Sequence, residues 1–274
     1  MIRALLASLL LVGGPAAACS TTTACGLEEG EYFMATPEGE GLKPAVVYIH
    51  GWGGTGSGVF RNTGMTNGFL ERGYILAAPS GLPRANGNGG TWSFRPANPG
   101  RRDEVAFIQS VRDDLIANHG ADPDRIYLAG FSIGGSMTSY FACAAPDGFT
   151  AYAPIGGNFW RPHPDSCEGS VRMIHTHGWT DGTVPLEGRV LRGEGLDDQN
   201  SLIQGDIFQA MQIWRATNGC KQLKADRFVT EGFFLRRAWD RCAEGSALEL
   251  AIFAGGHAIP RGWTELVTDW FEAL

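Results

Sequence analysis

Ser132, Asp181 and His257 are of the residue types, and in the chain order, that covalent acyl transfer by a serine requires. A serine hydroxyl is a weak nucleophile at neutral pH, so it needs a base to take its proton and an acid to orient that base. Ser132 lies in Gly130-Phe131-Ser132-Ile133-Gly134, after the apolar run 125–129 and before the helix-competent segment 136–142. Strand, sharp turn and helix in that succession make a nucleophile elbow, with the serine at its tip. Glycines stand on either side because bulkier side chains there would collide with the neighbouring strand and helix. The chain has 39 glycines, so the motif carries weight only through its partners.

Asp181 follows a strand-like run in His177-Gly178-Trp179-Thr180-Asp181, and His257 follows another in Phe253-Ala254-Gly255-Gly256-His257. Taken singly, Asp181 also suits an Asx-type turn and His257 a surface loop. In this order, each just beyond a strand, the three read as nucleophile, acid and base. Acyl transfer also needs donors for an oxyanion. The Ile133 N–H, directly after the nucleophile, is one; the second is expected from His50-Gly51-Trp52-Gly53-Gly54, with the Trp52 N–H first and Gly53 as the alternative. No Gly-Lys-Ser/Thr follows that loop, which argues against a phosphate cradle.

The elements that must position these residues alternate. Residues 31–36 read as an edge strand, 43–50 and 74–78 as strands buried on both faces, and 66–72 as a helix stopped by Gly73. Residues 103–118 make a helix whose Phe107, Val111 and Leu115 recur every four positions, and 149–153 and 171–175 are strands. Residues 203–216 are expected to be helical, 248–253 to be the last strand, and Trp263, Leu266, Val267, Trp270 and Phe271 to mark a C-terminal helix. Strands alternating with helices imply an α/β fold with a mostly parallel sheet covered on both faces.

Composition bounds the rest. The chain has 274 residues, 43% of them hydrophobic, and a net charge of -7 without a basic patch, so nucleic acid is not an expected partner. Arg3, an apolar run at 4–12 and Ala16-Ala17-Ala18 form an export signal, residues 1–18, with the catalytic domain expected over 19–274 and the protein secreted or periplasmic. Lipid attachment at Cys19 is a second reading, weakened because Ala16 stands where such signals carry a larger aliphatic residue. No later run is long enough to cross a bilayer, so no membrane contact is expected once the signal is removed. Six cysteines in an exported chain favour disulfides. Six allow fifteen arrangements, of which neighbour pairing, Cys19–Cys25, Cys143–Cys167 and Cys220–Cys242, is expected.

Four aromatic residues fall in loops beyond strand ends, where ligands of open α/β sheets bind: Trp52, Trp92, Phe94 and Trp179. Trp92, Phe94 and Trp179 are expected to contact substrate. Packing is the least expected role for Trp92, whose Gly/Asn-rich surroundings offer few apolar neighbours.

The chain resembles the secreted polyhydroxybutyrate depolymerase and feruloyl esterase group of the α/β-hydrolase fold. The likeness rests on His50-Gly51-Trp52-Gly53, on the stretches 103–107 and 122–132, on Ala153-Pro154-Ile155-Gly156-Gly157, on 177–181 with Val184-Pro185, and on Gly255-Gly256-His257. The resemblance implies Ser132, Asp181 and His257 as the triad and a carboxylic ester, small or polymeric, as substrate. Trp52 and the segment 87–90 depart from many relatives where substrate should bind, which leaves the acyl group open. No cofactor or metal is expected, and a monomer is. Two other readings remain: a metal-dependent hydrolase using His175 and His177, which face one side of a strand near Asp181, and a non-catalytic binding protein on the same fold. An intact triad argues against the latter.

Overall fold

The computed structural model describes residues 19–85, 87–95, 102–198 and 200–274; the expected export signal, residues 1–18, lies outside them. Ten strands form one sheet: β1 (Cys25–Leu27), β2 (Gly30–Ala35), β3 (Lys43–Ile49), β4 (Ile75–Pro79), β5 (Ala121–Phe131), β6 (Ala151–Ile155), β7 (Arg172–Gly178), β8 (Arg227–Glu231), β9 (Phe234–Trp239) and β10 (Ala247–Phe253). Their order across the sheet is β1-β2-β4-β3-β5-β6-β7-β10-β9-β8. The six strands from β4 to β10 run parallel, and antiparallel pairs extend the sheet at both sides.

Strand alternation divides the core. Val47, Ile49 and Leu128 face one layer, with α3 (Glu104–Asn118), α4 (Ile133–Ala144) and α5 (Ile207–Thr217). Val46, Tyr48, Tyr127 and Ala129 face the other, with α2 (Thr63–Glu71) and α6 (Trp263–Glu272); a one-turn helix, α1 (Gly56–Val59), precedes α2. A buried two-sided sheet reads as continuous apolar runs for this reason: each strand feeds both layers. Helix starts follow their caps. Asp103 accepts from the Ala106 N–H at 3.0 Å to open α3, and Asp206 from the Gln209 N–H at 2.9 Å to open α5.

The α5 cap corrects the expected helix 203–216: Leu202–Gln204 pairs instead with Arg189–Arg192 as a small ribbon. The segment 31–36 is not an edge, since β2 is flanked by β1 and β4. Helix α3 also carries a buried ion pair. Arg102 meets the Glu104 carboxylate at 2.7 Å, and the Ser93 N–H donates to its other oxygen at 3.2 Å. Cys19–Cys25, Cys143–Cys167 and Cys220–Cys242 are bonded. Among the described residues no helix is long and apolar enough to cross a membrane.

Candidate active site

Ser132 sits between β5 and α4 with φ 61° and ψ -123°; among the described residues it is the one non-glycine in the left-handed half of φ space. Such a conformation costs on the order of 1–3 kcal/mol and persists only where the surroundings enforce it. Here the Ser132 N–H donates to Ile155 O at 2.8 Å, and Ser132 O accepts from the Ser136 N–H at 3.0 Å. Neighbouring backbone closes in from three directions. A Cβ on Gly130 would lie 2.4 Å from Gly134 O, one on Gly134 2.2 Å from Ile49 O, and one on Gly157 1.9 Å from Ser132 O. The first two are the glycines of the motif. Gly157 comes from the loop after β6, and nothing in its local sequence marks it as a wall of the elbow.

His257 reaches the serine from the loop after β10. Its Nε2 lies 2.8 Å from Ser132 Oγ and its Nδ1 2.7 Å from Asp181 Oδ2. Asp181 can only accept there, so Nδ1 carries the proton and Nε2 presents a lone pair to the serine hydroxyl. The Phe131 ring lies against the imidazole with centroids 4.7 Å apart. Asp181 is buried, and its second oxygen accepts from the Thr183 and Val184 N–H groups at 2.9 and 2.8 Å. That Asx-type turn and contact with His257 are both present: the two readings of Asp181 describe one arrangement.

Behind Asp181 runs a chain of buried polar side chains. His177 Nε2–H donates to Val184 O at 2.8 Å, which leaves His177 Nδ1 to accept from His175 Nε2–H at 3.0 Å, and His175 Nδ1 to accept from the Asn158 amide at 3.3 Å. Burial depresses both imidazole pKa values, further lowered at His175 by His177, so both rings are neutral. All four ring nitrogens are thus occupied by protein partners, which removes the ligand set that the metal-dependent reading needs.

The Ile133 N–H opens α4 and so has no intrahelical acceptor. Across from it, Gly51 packs on Ser132, where an added Cβ would come within 3.4 Å of the serine Cβ. In the same loop the Gly53 N–H is bonded to Gly90 O at 2.9 Å and the Gly54 N–H to Gly51 O at 3.0 Å, whereas the Trp52 N–H has no acceptor among the described residues. The alternative donor, Gly53, is therefore already used. His50 holds the loop: its Nδ1–H donates to Gly51 O at 2.8 Å and its Nε2 accepts from the Gly81 N–H at 3.0 Å.

The aromatic residues part company. Trp52 is 60% exposed, with the Arg84 guanidinium 4.5 Å above its ring, and Trp179 is 65% exposed. Trp92 corrects the expectation of a substrate contact. It is only 4% exposed; its indole N–H donates to His50 O at 2.9 Å and its ring packs on His50 with centroids 5.0 Å apart. Trp92 belongs to the α3–α4 core layer and fixes the strand end that leads into the Trp52 loop. Its Gly/Asn-rich neighbours in sequence are not its neighbours in space. Phe94 is half-buried between Tyr140 and Trp160, at 5.2 and 5.7 Å. Trp160 itself donates to Ser136 Oγ at 3.1 Å, one turn of α4 beyond Ser132; its position gave no sequence signal.

Residues 32–215 match the phospholipase/carboxylesterase family. Poly(3-hydroxyalkanoate) depolymerase C of Paucimonas lemoignei is 30% identical over 151 residues, covering 53% of this chain and 34% of that protein. Feruloyl esterase B of Neurospora crassa is 30% identical over 126 residues, 46% of this chain and 43% of that one. The matched stretches thus span less than half the length of these curated relatives. Among solved structures, the acetyl xylan esterase from Aspergillus awamori superposes with a TM-score of 0.62 at 16% identity, over 94% of this chain and 97% of the other. At that identity the likeness shows the fold, an α/β-hydrolase.

Proposed function

Because the chain belongs to the phospholipase/carboxylesterase family, we propose that it is a secreted serine esterase that hydrolyses carboxylic esters through an acyl-enzyme on Ser132. The observation that carries this reading is the continuous hydrogen-bonded path from Ser132 Oγ through His257 to buried Asp181, at 2.8 and 2.7 Å. His257 Nε2 takes the hydroxyl proton as Oγ attacks the ester carbonyl, and the Ile133 and Trp52 N–H groups hold the resulting oxyanion. The N-terminus of α4, aimed at the same point, favours that negative charge. Collapse expels the alcohol, which takes the proton from His257. Water, deprotonated by the same imidazole, then attacks the acyl-enzyme and frees the acid and Ser132. Asp181 keeps its proton acceptor role throughout by holding Nδ1–H.

Relatives named for polyhydroxyalkanoate and feruloyl esters support hydroxyalkanoate oligomers or phenolic esters as the substrate class. Three disulfides support export, with residues 19–274 as one catalytic unit. The test uses the mature protein with nitrophenyl esters of graded acyl length, hydroxybutyrate oligomers and methyl ferulate. Ser132→Ala is expected to lower kcat by on the order of a million-fold, by analogy with other triads. A serine-directed phosphonate should inactivate stoichiometrically and a chelator should not. Turnover by Ser132→Ala within tenfold of the parent would refute the reading.

A further inference from the structure

On the α5 face of the sheet a groove of about 490 Å³, lined by none of Ser132, Asp181 and His257, runs between α5 and the β9–β10 pair. Its volume is that of a small-molecule site. Four large apolar side chains stand open on it: Trp179 at 65% exposure, Phe208 at 46%, Leu223 at 82% and Leu235 at 59%. Strand register builds the floor, since Leu235 pairs with Ile252 and Arg237 with Leu250, all four on the same sheet face. Exposed apolar side chains gathered in one place, rather than scattered singly, mark a binding surface.

The charges around this groove have one sign. Arg215, Lys224 and Arg237 line it and, among the described residues, no acidic one does, although the whole chain carries a net charge of -7. Among the described residues none of the three has a carboxylate partner within ion-pair distance. Arg215 donates through Nη1 to Leu223 O and lies 5.5 Å from the Trp239 ring, Arg237 lies 5.1 Å from the Phe228 ring, and the buried Nε–H of Arg215 has no acceptor. An apolar trough whose cations lack counter-charges is complementary to an amphipathic anion: the body covers the exposed apolar side chains, and the charged end accepts from the guanidinium and ammonium donors.

We propose that this groove binds a soluble amphipathic carboxylic acid, its apolar body between Trp179, Phe208 and Leu235 and its carboxylate among Arg215, Lys224 and Arg237. The groove reaches Trp179, two residues before Asp181. Its ligand class is that of the acid an ester hydrolysis releases, a link that rests on the proposed esterase reading; the binding itself does not.

Octanoate and its uncharged isostere octanamide test the site by calorimetry and amide-shift mapping on the mature protein. The Ser132→Ala variant is used for all but the phosphonate arm, so that binding is read without turnover. Octanoate should bind at least tenfold tighter than octanamide and shift the signals of Trp179, Leu223 and Leu235. Lys224→Glu with Arg237→Glu should weaken octanoate binding at least tenfold with an unchanged melting temperature and unchanged octanamide affinity. Equal affinity for acid and amide would overturn the proposal, as would an unaffected double variant. Loss of octanoate binding in parent protein whose Ser132 carries a phosphonate would place the ligand in the Ser132 cleft instead. Cosedimentation with phosphatidylglycerol vesicles without octanoate binding would make the face a lipid surface. Failure of any of these leaves the Ser132→Ala activity test untouched, and failure of that test leaves groove binding standing.

Discussion

His177 and Val184 tie the two ends of the acid loop together: the His177 Nε2–H donates to Val184 O at 2.8 Å while the same nitrogen stands 3.6 Å from Asp181 Oδ2. Val184 in turn donates its N–H to Asp181 Oδ1. The imidazole therefore sets the turn that aims Asp181 at His257, and acts on the reaction only through it. His177→Phe is expected to lower kcat by about 10–100-fold, by analogy with residues that orient metal-ligating side chains, with KM nearly unchanged. His177→Gln, which keeps a side-chain donor, should recover part of the loss. A rise in KM at unchanged kcat would reassign His177 to the substrate cleft.

The same neutral imidazoles make stability depend on pH. Burial holds the His50, His175 and His177 pKa values below the ordinary 6.5, so the unfolded chain binds more protons than the folded one as pH falls through that value. Stability from these groups is present above pH 6.5 and is lost progressively below it. Urea midpoints measured from pH 7.5 to pH 5 should fall, and the slope should flatten in His175→Gln. A midpoint that rises on acidification would contradict the neutral assignment.

Trp92→Ala should act on the scaffold. Removing a buried indole costs about 3–5 kcal/mol, and here it also frees the His50 carbonyl that leads into the Trp52 loop. Melting temperature should drop sharply, and turnover of acetyl and bulky aromatic esters should fall together. Selective loss on the bulky ester alone would return Trp92 to the substrate.

Gly157→Ala tests the elbow from outside its motif. The new methyl would need to displace Ser132 O, 1.9 Å away, from the conformation that exposes Oγ. Both the melting temperature and kcat should fall, whereas Gly182→Ala, with nothing within 4 Å of its Cβ in the acid loop, should keep the parent's melting temperature. Thermal melts and acetyl-ester kinetics on the pair check this.

Local chemistry was legible in the chain itself. Apolar runs, helix caps and turn glycines act over a few residues, so the alternating elements, the strained turn at Ser132 and the chain order of Ser132, Asp181 and His257 can be read without coordinates. The pair β8 and β9 was not: Arg227–Glu231 is exposed throughout, and Phe234–Trp239 interrupts its apolar residues with Arg236 and Arg237. Hydrogen bonding of β9 to β10 and of β8 to β9 makes strands of them, although β8 is not buried at all. Trp92 reads as a substrate contact rather than a packing residue because its sequence neighbours are glycine and asparagine, yet the fold brings His50 against it. Gly157 beside Ser132, and Asn158 against His175 behind Asp181, come together only when separate loops close over the sheet, whereas His175 and His177 already share one face of β7. Packing and hydrogen bonding depend on distance in space, and only the tertiary structure sets which distant segments meet.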